Sequence, residues 1–232
     1  QQFNLRRAFG ACFIAVMLLS HQKKFLFVHI AKTGGTSVRA ALQNQRWRDP
    51  YYAPIWLASK LSGLVNHEVG IKLPRHAKAI AAKEMLPHAF YQTLFKFAFV
   101  RNPWDLQVSS YHHIRRERPH LLKAEESFEA FLRRKLDPSR EWQYHIDTSI
   151  TPQTDYLVDL NGNLIVDFIG HYETLQQDFD HCCQRIGVPG IELPHRRKAE
   201  DRLVYREYYT PDTQALVSRA FARDIEMLGY EF

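Results

Sequence analysis

The sequence predicts an α/β fold in three layers with a central parallel sheet, on two observations. Three short runs rich in Val, Ile and Phe read as fully buried strands: FLFVHI at 25–30, FKFAFV at 95–100 and LIVDFIG at 164–170. Each is followed by a segment of helix formers, and strand, helix, strand in that order favours parallel pairing through crossover helices.

The elements follow in chain order. Residues 37–45 continue the first strand as a helix, and 103–116 continue the second. After the third strand comes a helix over 173–186, with Leu175, Phe179, Cys182 and Ile186 on one face. The segment 210–229 carries the clearest helix signals. Thr210 suits the N-cap, Pro211 the first position, and Leu216, Val217, Ala220, Phe221, Ile225 and Leu228 form an apolar stripe that ends at Gly229. Gly and Pro are scattered and no repeat is present, so 25–232 reads as one domain of a 232-residue chain with 45% hydrophobic residues.

Residues 1–24 read as an N-terminal extension or packing helix. Their apolar run AFGACFIAVMLL at 8–19 is twelve residues long, where a bilayer core needs about 20. Arg6 and Arg7 precede it, but no small-x-small cleavage site follows, so a signal or membrane anchor is the disfavoured alternative. The sequence begins with Gln1, and Met17 is a candidate natural start.

A net charge of +6 favours anionic partners: nucleotides, acidic glycans, nucleic acid or membrane lipid. The basic residues are not interleaved with aromatics in a recognised motif, so nucleic acid is not expected. HHIRRERPH at 112–120 is either a solvated helix face or a guide for an acidic glycan. The three cysteines, Cys12 and the adjacent Cys182 and Cys183, have neither disulfide nor zinc spacing. Cys182 reads as a small core residue and Cys183 is unassigned. A reducing, cytoplasmic compartment is expected, with a membrane-associated or Golgi-lumenal location only if 8–19 is an anchor.

In an open parallel sheet the loop after the first strand meets the ligand. Here that loop is AKTGGTS at 31–37. Gly34 and Gly35 let the backbone approach an anion, the N–H groups of Thr36, Ser37 and Val38 are expected to face it, and the hydroxyls of Thr33, Thr36 and Ser37 add donors. Lys32 adds a cation. A Walker A loop places its lysine and metal-binding hydroxyl after the last glycine; this loop places Lys32 before the glycines. A bare G-G-T-S also fits a simple strand-to-helix turn, and it is the position after a buried strand that favours anion binding.

FVRNPWDLQVSSY at 99–111 is the second constellation. Arg101 leaves a strand end and Ser109 lies about two helical turns further on, so a forked donor and a hydroxyl could share one phosphate. The simpler readings are an Arg101–Asp105 salt bridge and an exposed serine.

Together, HIAKTGGTS, FVRNPWD and a serine eight residues after Arg101 resemble the two nucleotide-binding motifs of sulfotransferases that use 3′-phosphoadenosine 5′-phosphosulfate. The likeness is to the carbohydrate-directed branch that includes heparan 2-O- and chondroitin 4-O-sulfotransferases and bacterial relatives. It runs from about Phe25 to Phe232, through QTDYL at 153–157, FIGHYETLQQDF at 168–179 and YREYYTPDT at 205–213.

The resemblance implies a P-loop NTPase-like fold, sulfuryl transfer from that donor to a carbohydrate hydroxyl, and no metal. It implies that Lys32, Thr33, Gly34, Gly35, Thr36 and Ser37 bind the 5′-phosphosulfate, that Arg101 and Ser109 bind the 3′-phosphate, and that Lys32 stabilises the leaving group. It places His76 of IKLPRHAKAI at 71–80 as the base, with His29 and His112 in reserve among twelve histidines. The chain departs from the pattern with Arg197 and Ala199 where relatives often carry Asn and Ser. Which of Arg196, Arg197, Lys198 and Arg202 touches nucleotide or acceptor is therefore open. The competing readings are a nucleotide-dependent kinase of related fold, against which the reversed loop argues, and a non-catalytic module that binds anionic glycans or nucleotides.

Overall fold

The computed structural model describes residues 17–65, 73–122, 126–140, 149–194 and 203–232. Residues 8–16, Cys12 and the basic residues of 195–202 lie outside them. Strand β1 (Leu18–Ser20) pairs antiparallel with β2 (Phe25–Val28), which pairs in parallel with β3 (Phe95–Val100), which pairs in parallel with β4 (Phe168–His171). The three expected strands are thus present and parallel. The sheet as a whole is mixed, because Leu18–Ser20, at the end of the segment read as an extension or packing helix, adds an antiparallel edge.

The third strand begins four residues later than expected. Leu164 pairs with Val158 instead, across a tight loop in which Asp159 accepts from the backbone of Asn161 and Asn163 and Gly162 takes φ +83°. Only Phe168–His171 reaches β3, at a register of Phe97 with Phe168 and Val100 with His171.

Alternation along the strands builds the layers. Phe25, Phe27, Phe97 and Phe99 point to one face, where they pack with Val38 and Leu42 of α1 (Gly35–Trp47) and with Phe179, Cys182 and Cys183 further along the chain. Each such buried aromatic ring contributes about 2–3 kcal/mol. Val28, Ala98 and Val100 point to the other face, with Ala79, Tyr156 and Leu157. Helix α2 (Tyr52–Val65) follows α1, and α3 (Ala79–Met85) and α4 (His88–Gln92) cover this second face with Leu26 and Tyr91.

Helix α5 (Pro103–Glu117) starts on an Asn102 cap that accepts from Trp104 N and Asp105 N. With α6 (Phe128–Leu136) it forms a further core around Trp104, Val108, Tyr111, Phe128 and Phe131. Residues 115–120 at its far end are exposed, as either reading of HHIRRERPH requires. The expected 173–186 helix is a 3₁₀ turn (Tyr172–Thr174) followed by α7 (Leu175–Arg185). Phe179, Cys182 and Ile186 are buried as read, and so is Cys183.

The C-terminal helix is two helices rather than one. α8 (Pro211–Ala220) opens on the Thr210 cap, and α9 (Ala222–Leu228) closes on Gly229 at φ +69°. The break at Phe221 leaves Ala220 exposed and carries Asp224 inward, fully buried. There its carboxylate accepts from Gln153 N (2.7 Å), Thr154 N (2.9 Å) and Thr154 Oγ1 (2.8 Å). Burial raises its pKa, with those hydrogen bonds opposing. Among the described residues no helix is long and apolar enough to cross a membrane.

Candidate active site

Because β2, β3 and β4 run in parallel, the chain leaves all three at one end of the sheet, and the loops after them converge. The first loop supplies residues 29–37, the second Arg101 and Asn102, and the third Tyr172 and Glu173.

The 31–37 loop is tightly wrapped. Lys32 takes φ +69° and Gly34 φ +80°. A Cβ on Gly34 would lie 2.5 Å from Leu175 Cδ2, and one on Gly35 would lie 2.2 Å from the His29 ring. Gly35 is therefore required by close approach to the His29 ring, and Gly34 by its dihedral. Thr33 is fully buried, and its hydroxyl donates to Ile30 O at 3.0 Å; it closes the loop instead of facing outward as expected.

The donor positions also shift. Ser37 N and Val38 N both donate to Gly34 O, at 2.9 and 3.4 Å, so these two are spent on capping. The N–H groups of Gly35 and Thr36 are the first-turn donors without an intrahelical acceptor; Thr36 belongs to the expected set and Gly35 lies one residue upstream of it. Ser37 Oγ donates to Pro194 O at 2.8 Å, and Thr36 is exposed at the helix mouth.

His76 is brought to this loop from a segment 47 residues away in sequence. Its ring lies 4.6 Å from that of His29, and its Nδ1 is 2.8 Å from His29 O. A carbonyl only accepts, so the proton sits on Nδ1 and the neutral ring keeps its Nε2 lone pair for another partner. Burial lowers the His76 pKa below 6.5; the bond to His29 O opposes this, and the charges of Arg75 and Arg39 add to it. At neutral pH His76 is a free base.

His29 is buried, its Nδ1 has no partner, and burial followed by His76, Arg75 and Arg39 pushes its pKa down to about 3. The unfolded chain therefore binds a proton at this site below pH ~6.5 that the folded chain refuses until about 3. Stability contributed here is complete above 6.5 and is lost as pH falls through that window. In a carbon-13 titration of the imidazoles, His29 should stay neutral from pH 8 down to 5, and His76 should titrate below 6.5. A normal titration of His29 would contradict its packing against Gly35.

Arg101 is 5% exposed. Its Nε meets Asp105 Oδ2 at 2.6 Å, Nη1 donates to Lys32 O at 3.0 Å, and Cζ stands 3.9 Å from the Tyr172 ring centroid. Gln153 grips its backbone on both sides, accepting from Arg101 N (2.9 Å) and donating to Arg101 O (2.7 Å). Burial lowers the pKa of this guanidinium, while Tyr172, Glu173 and Tyr230 hold it up. The salt bridge to Asp105 offered as the simpler reading is present. Asn102 N donates to Glu173 Oε1 at 2.9 Å, and Tyr230 Oη donates to Glu173 Oε2 at 3.1 Å.

Ser109 is half-buried on α5, two turns beyond Arg101. His112, a turn further, has Nε2 2.8 Å from Tyr208 Oη, so that nitrogen is engaged. The sequence reading missed Arg39, Arg75, Gln153, Tyr172 and Glu173. Arg75 adjoins His76 and Arg39 lies one turn into α1, so proximity to the motif residues was the available signal. Gln153, Tyr172 and Glu173 lie in the QTDYL and FIGHYETLQQDF segments, but the contacts they make are not visible in sequence.

The arrangement combines the first-turn amides of Gly35 and Thr36, cationic side chains at Lys32, Arg39, Arg75 and Arg101, and the neutral imidazole of His76. Two solved structures resemble the chain at a distance. One is mouse sulfotransferase SULT7A1 complexed with PAP (19% identity, 88% of this chain and 84% of that one, TM-score 0.45). The other is a sulfotransferase from Alicyclobacillus acidocaldarius (16% identity, 90% and 96%, TM-score 0.45). An uncharacterised protein of Archaeoglobus fulgidus is 37% identical over 94 residues, 40% of this chain and 68% of its own length. Residues 16–231 match the family described as the sulfotransferase family, and with nearly the whole chain inside that match, including the loop, Arg101 and His76, the chain belongs to it.

Proposed function

We propose that the chain transfers a sulfuryl group from 3′-phosphoadenosine 5′-phosphosulfate to a hydroxyl of a carbohydrate acceptor, with residues 25–232 and the β1 edge strand ahead of them acting as one catalytic domain. The observation that carries this reading is the fixed tautomer of His76 beside the loop: Nδ1–H on His29 O leaves Nε2 as the proton acceptor. The acceptor hydroxyl gives its proton to Nε2 as its oxygen forms the new bond to sulfur. The bond from sulfur to the bridging oxygen of the donor breaks, and that oxygen keeps the electron pair.

The donor's 5′-phosphosulfate suits Gly35 N, Thr36 N and the Lys32 ammonium, with Gly34 and Gly35 giving the clearance. Thr33 and Ser37 support the cradle through the contacts described. Arg101 and Ser109 fit the 3′-phosphate. Charge develops on the leaving phosphate oxygen, and a lysine with preorganised amides stabilises it. A monoanionic sulfuryl group asks for less neutralisation than a γ-phosphoryl group. Arg39 and Arg75 beside His76 suit an acceptor that is itself acidic, which favours the carbohydrate-directed branch.

Two measurements test this. Adenosine 3′,5′-bisphosphate at about 100 times its Kd should stabilise the fold by about 2.7 kcal/mol, and ATP with magnesium should not. The reverse result would favour a kinase. Radiolabelled donor offered with a panel of polysaccharides should label at least one acidic glycan; bisphosphate binding with no transfer to any acceptor would favour a binding module.

A further inference from the structure

We infer that Arg101 is a positioning residue for Lys32: its guanidinium holds the lysine's backbone in the left-handed conformation and so fixes the direction in which the side chain leaves the loop. This rests on the donor site proposed above and goes beyond it, since there Arg101 serves only as a phosphate ligand.

Lys32 at φ +69° is in a region that a side-chain-bearing residue occupies only when its surroundings hold it there. The hydrogen bond from Arg101 Nη1 goes to the carbonyl of this same residue, at 3.0 Å. The guanidinium is itself over-determined. Asp105 fixes Nε at 2.6 Å, the Tyr172 ring lies 3.9 Å from Cζ, and Gln153 pins the arginine's own N and O. Tyr172 touches the loop as well, since a Cβ on Gly34 would come within 3.3 Å of its Cδ2. Arg101, Tyr172 and the 32–34 turn are one stack, which joins the loops after β2, β3 and β4. A buried, fully charged side chain with planar, forked donors does this; a lysine, with one mobile ammonium, cannot make the same set of contacts.

The consequence is a coupling between the two halves of the donor site. Loss of Arg101 should disturb the 5′-phosphosulfate end even for a nucleotide that has no 3′-phosphate. The test uses the full chain with Arg101→Lys, which keeps a cation within reach of a 3′-phosphate, and Tyr172→Leu, which keeps Arg101 and removes its platform. The readouts are kcat at saturating donor and calorimetric affinities for adenosine 3′,5′-bisphosphate and adenosine 5′-monophosphate. Arg101→Lys should lower kcat on the order of 10- to 100-fold, as expected when a catalytic group is misplaced by about 1 Å. It should weaken both nucleotides together. Tyr172→Leu should move the same quantities in the same direction, by less.

The inference is overturned if Arg101→Lys leaves kcat at saturating donor and monophosphate affinity unchanged while bisphosphate affinity drops, because Arg101 would then be a 3′-phosphate ligand alone. Should Arg101→Lys fail to fold, an unchanged kcat in Tyr172→Leu overturns it equally. Failure of the donor reading looks different: the wild-type chain would show neither sulfate transfer nor preference for the bisphosphate, while monophosphate affinity would still report the geometry of the loop.

Discussion

Replacing His76 with alanine should lower kcat/KM for sulfate transfer by about 10²- to 10⁴-fold, the range general-base removal produces. The geometry makes this a demanding expectation. With Nδ1 committed to His29 O, Nε2 is the one ring atom able to take a proton, and the ring is already neutral at pH 7 because burial, Arg75 and Arg39 disfavour its charged form. The wild-type rate should therefore fall only as pH drops below the ordinary histidine value of 6.5, through the depressed pKa of His76. His76→Ala should lose that acid limb as well as the rate, while its affinity for adenosine 3′,5′-bisphosphate changes far less than its turnover. Steady-state kinetics across pH 5 to 8 check it. Undiminished transfer by the variant would remove His76 as base. The reserves would not inherit the role easily, since the His29 ring is packed on Gly35 and His112 Nε2 is engaged by Tyr208.

How legible a feature is in the sequence depends on the range of the interaction behind it. Strand identity and order came from apolar runs, and the alternation of Phe25 and Phe27 against Leu26 and Val28 explains why: a strand buried on both faces leaves an unbroken hydrophobic signature. The mixed edge was hidden because Leu18–Ser20 is three residues long and is continuous with a longer apolar stretch that has no strand period. Local chemistry was legible where it depends on neighbours in sequence, as with Thr210 and Pro211 opening α8 and Gly229 closing α9.

Two of the three expected amides, those of Ser37 and Val38, are taken by Gly34 O, because that capping is decided by the loop's backbone path. Arg101 shows the limit most clearly. Its salt bridge to Asp105 spans one helical turn and was foreseeable. Its hold on Lys32 O spans 69 residues, and the Gln153 clamp on its backbone spans 52. Asp224, which anchors that clamp, is 71 residues further on, inside what read as an uninterrupted helix.

Lys32→Ala and Lys32→Gly should both lose about 10²- to 10³-fold in kcat, the cost of removing one group that stabilises developing charge, yet they should differ in stability. At φ +69° an alanine retains the Cβ clash that the left-handed region imposes, and a glycine does not. The glycine variant should therefore be more stable than the alanine variant by about 1 kcal/mol, read as a shift in urea midpoint at unchanged slope. Glycine is thus the residue that the backbone at position 32 prefers, and the chain has lysine there instead. That choice makes sense if the ammonium, rather than the turn, is what the position is for. Two inactive variants separated in stability would locate the strain at a functional residue. A Lys32→Gly variant that keeps wild-type turnover would leave the loop as a strand-to-helix connection, and the order of lysine before glycines would carry no chemical meaning.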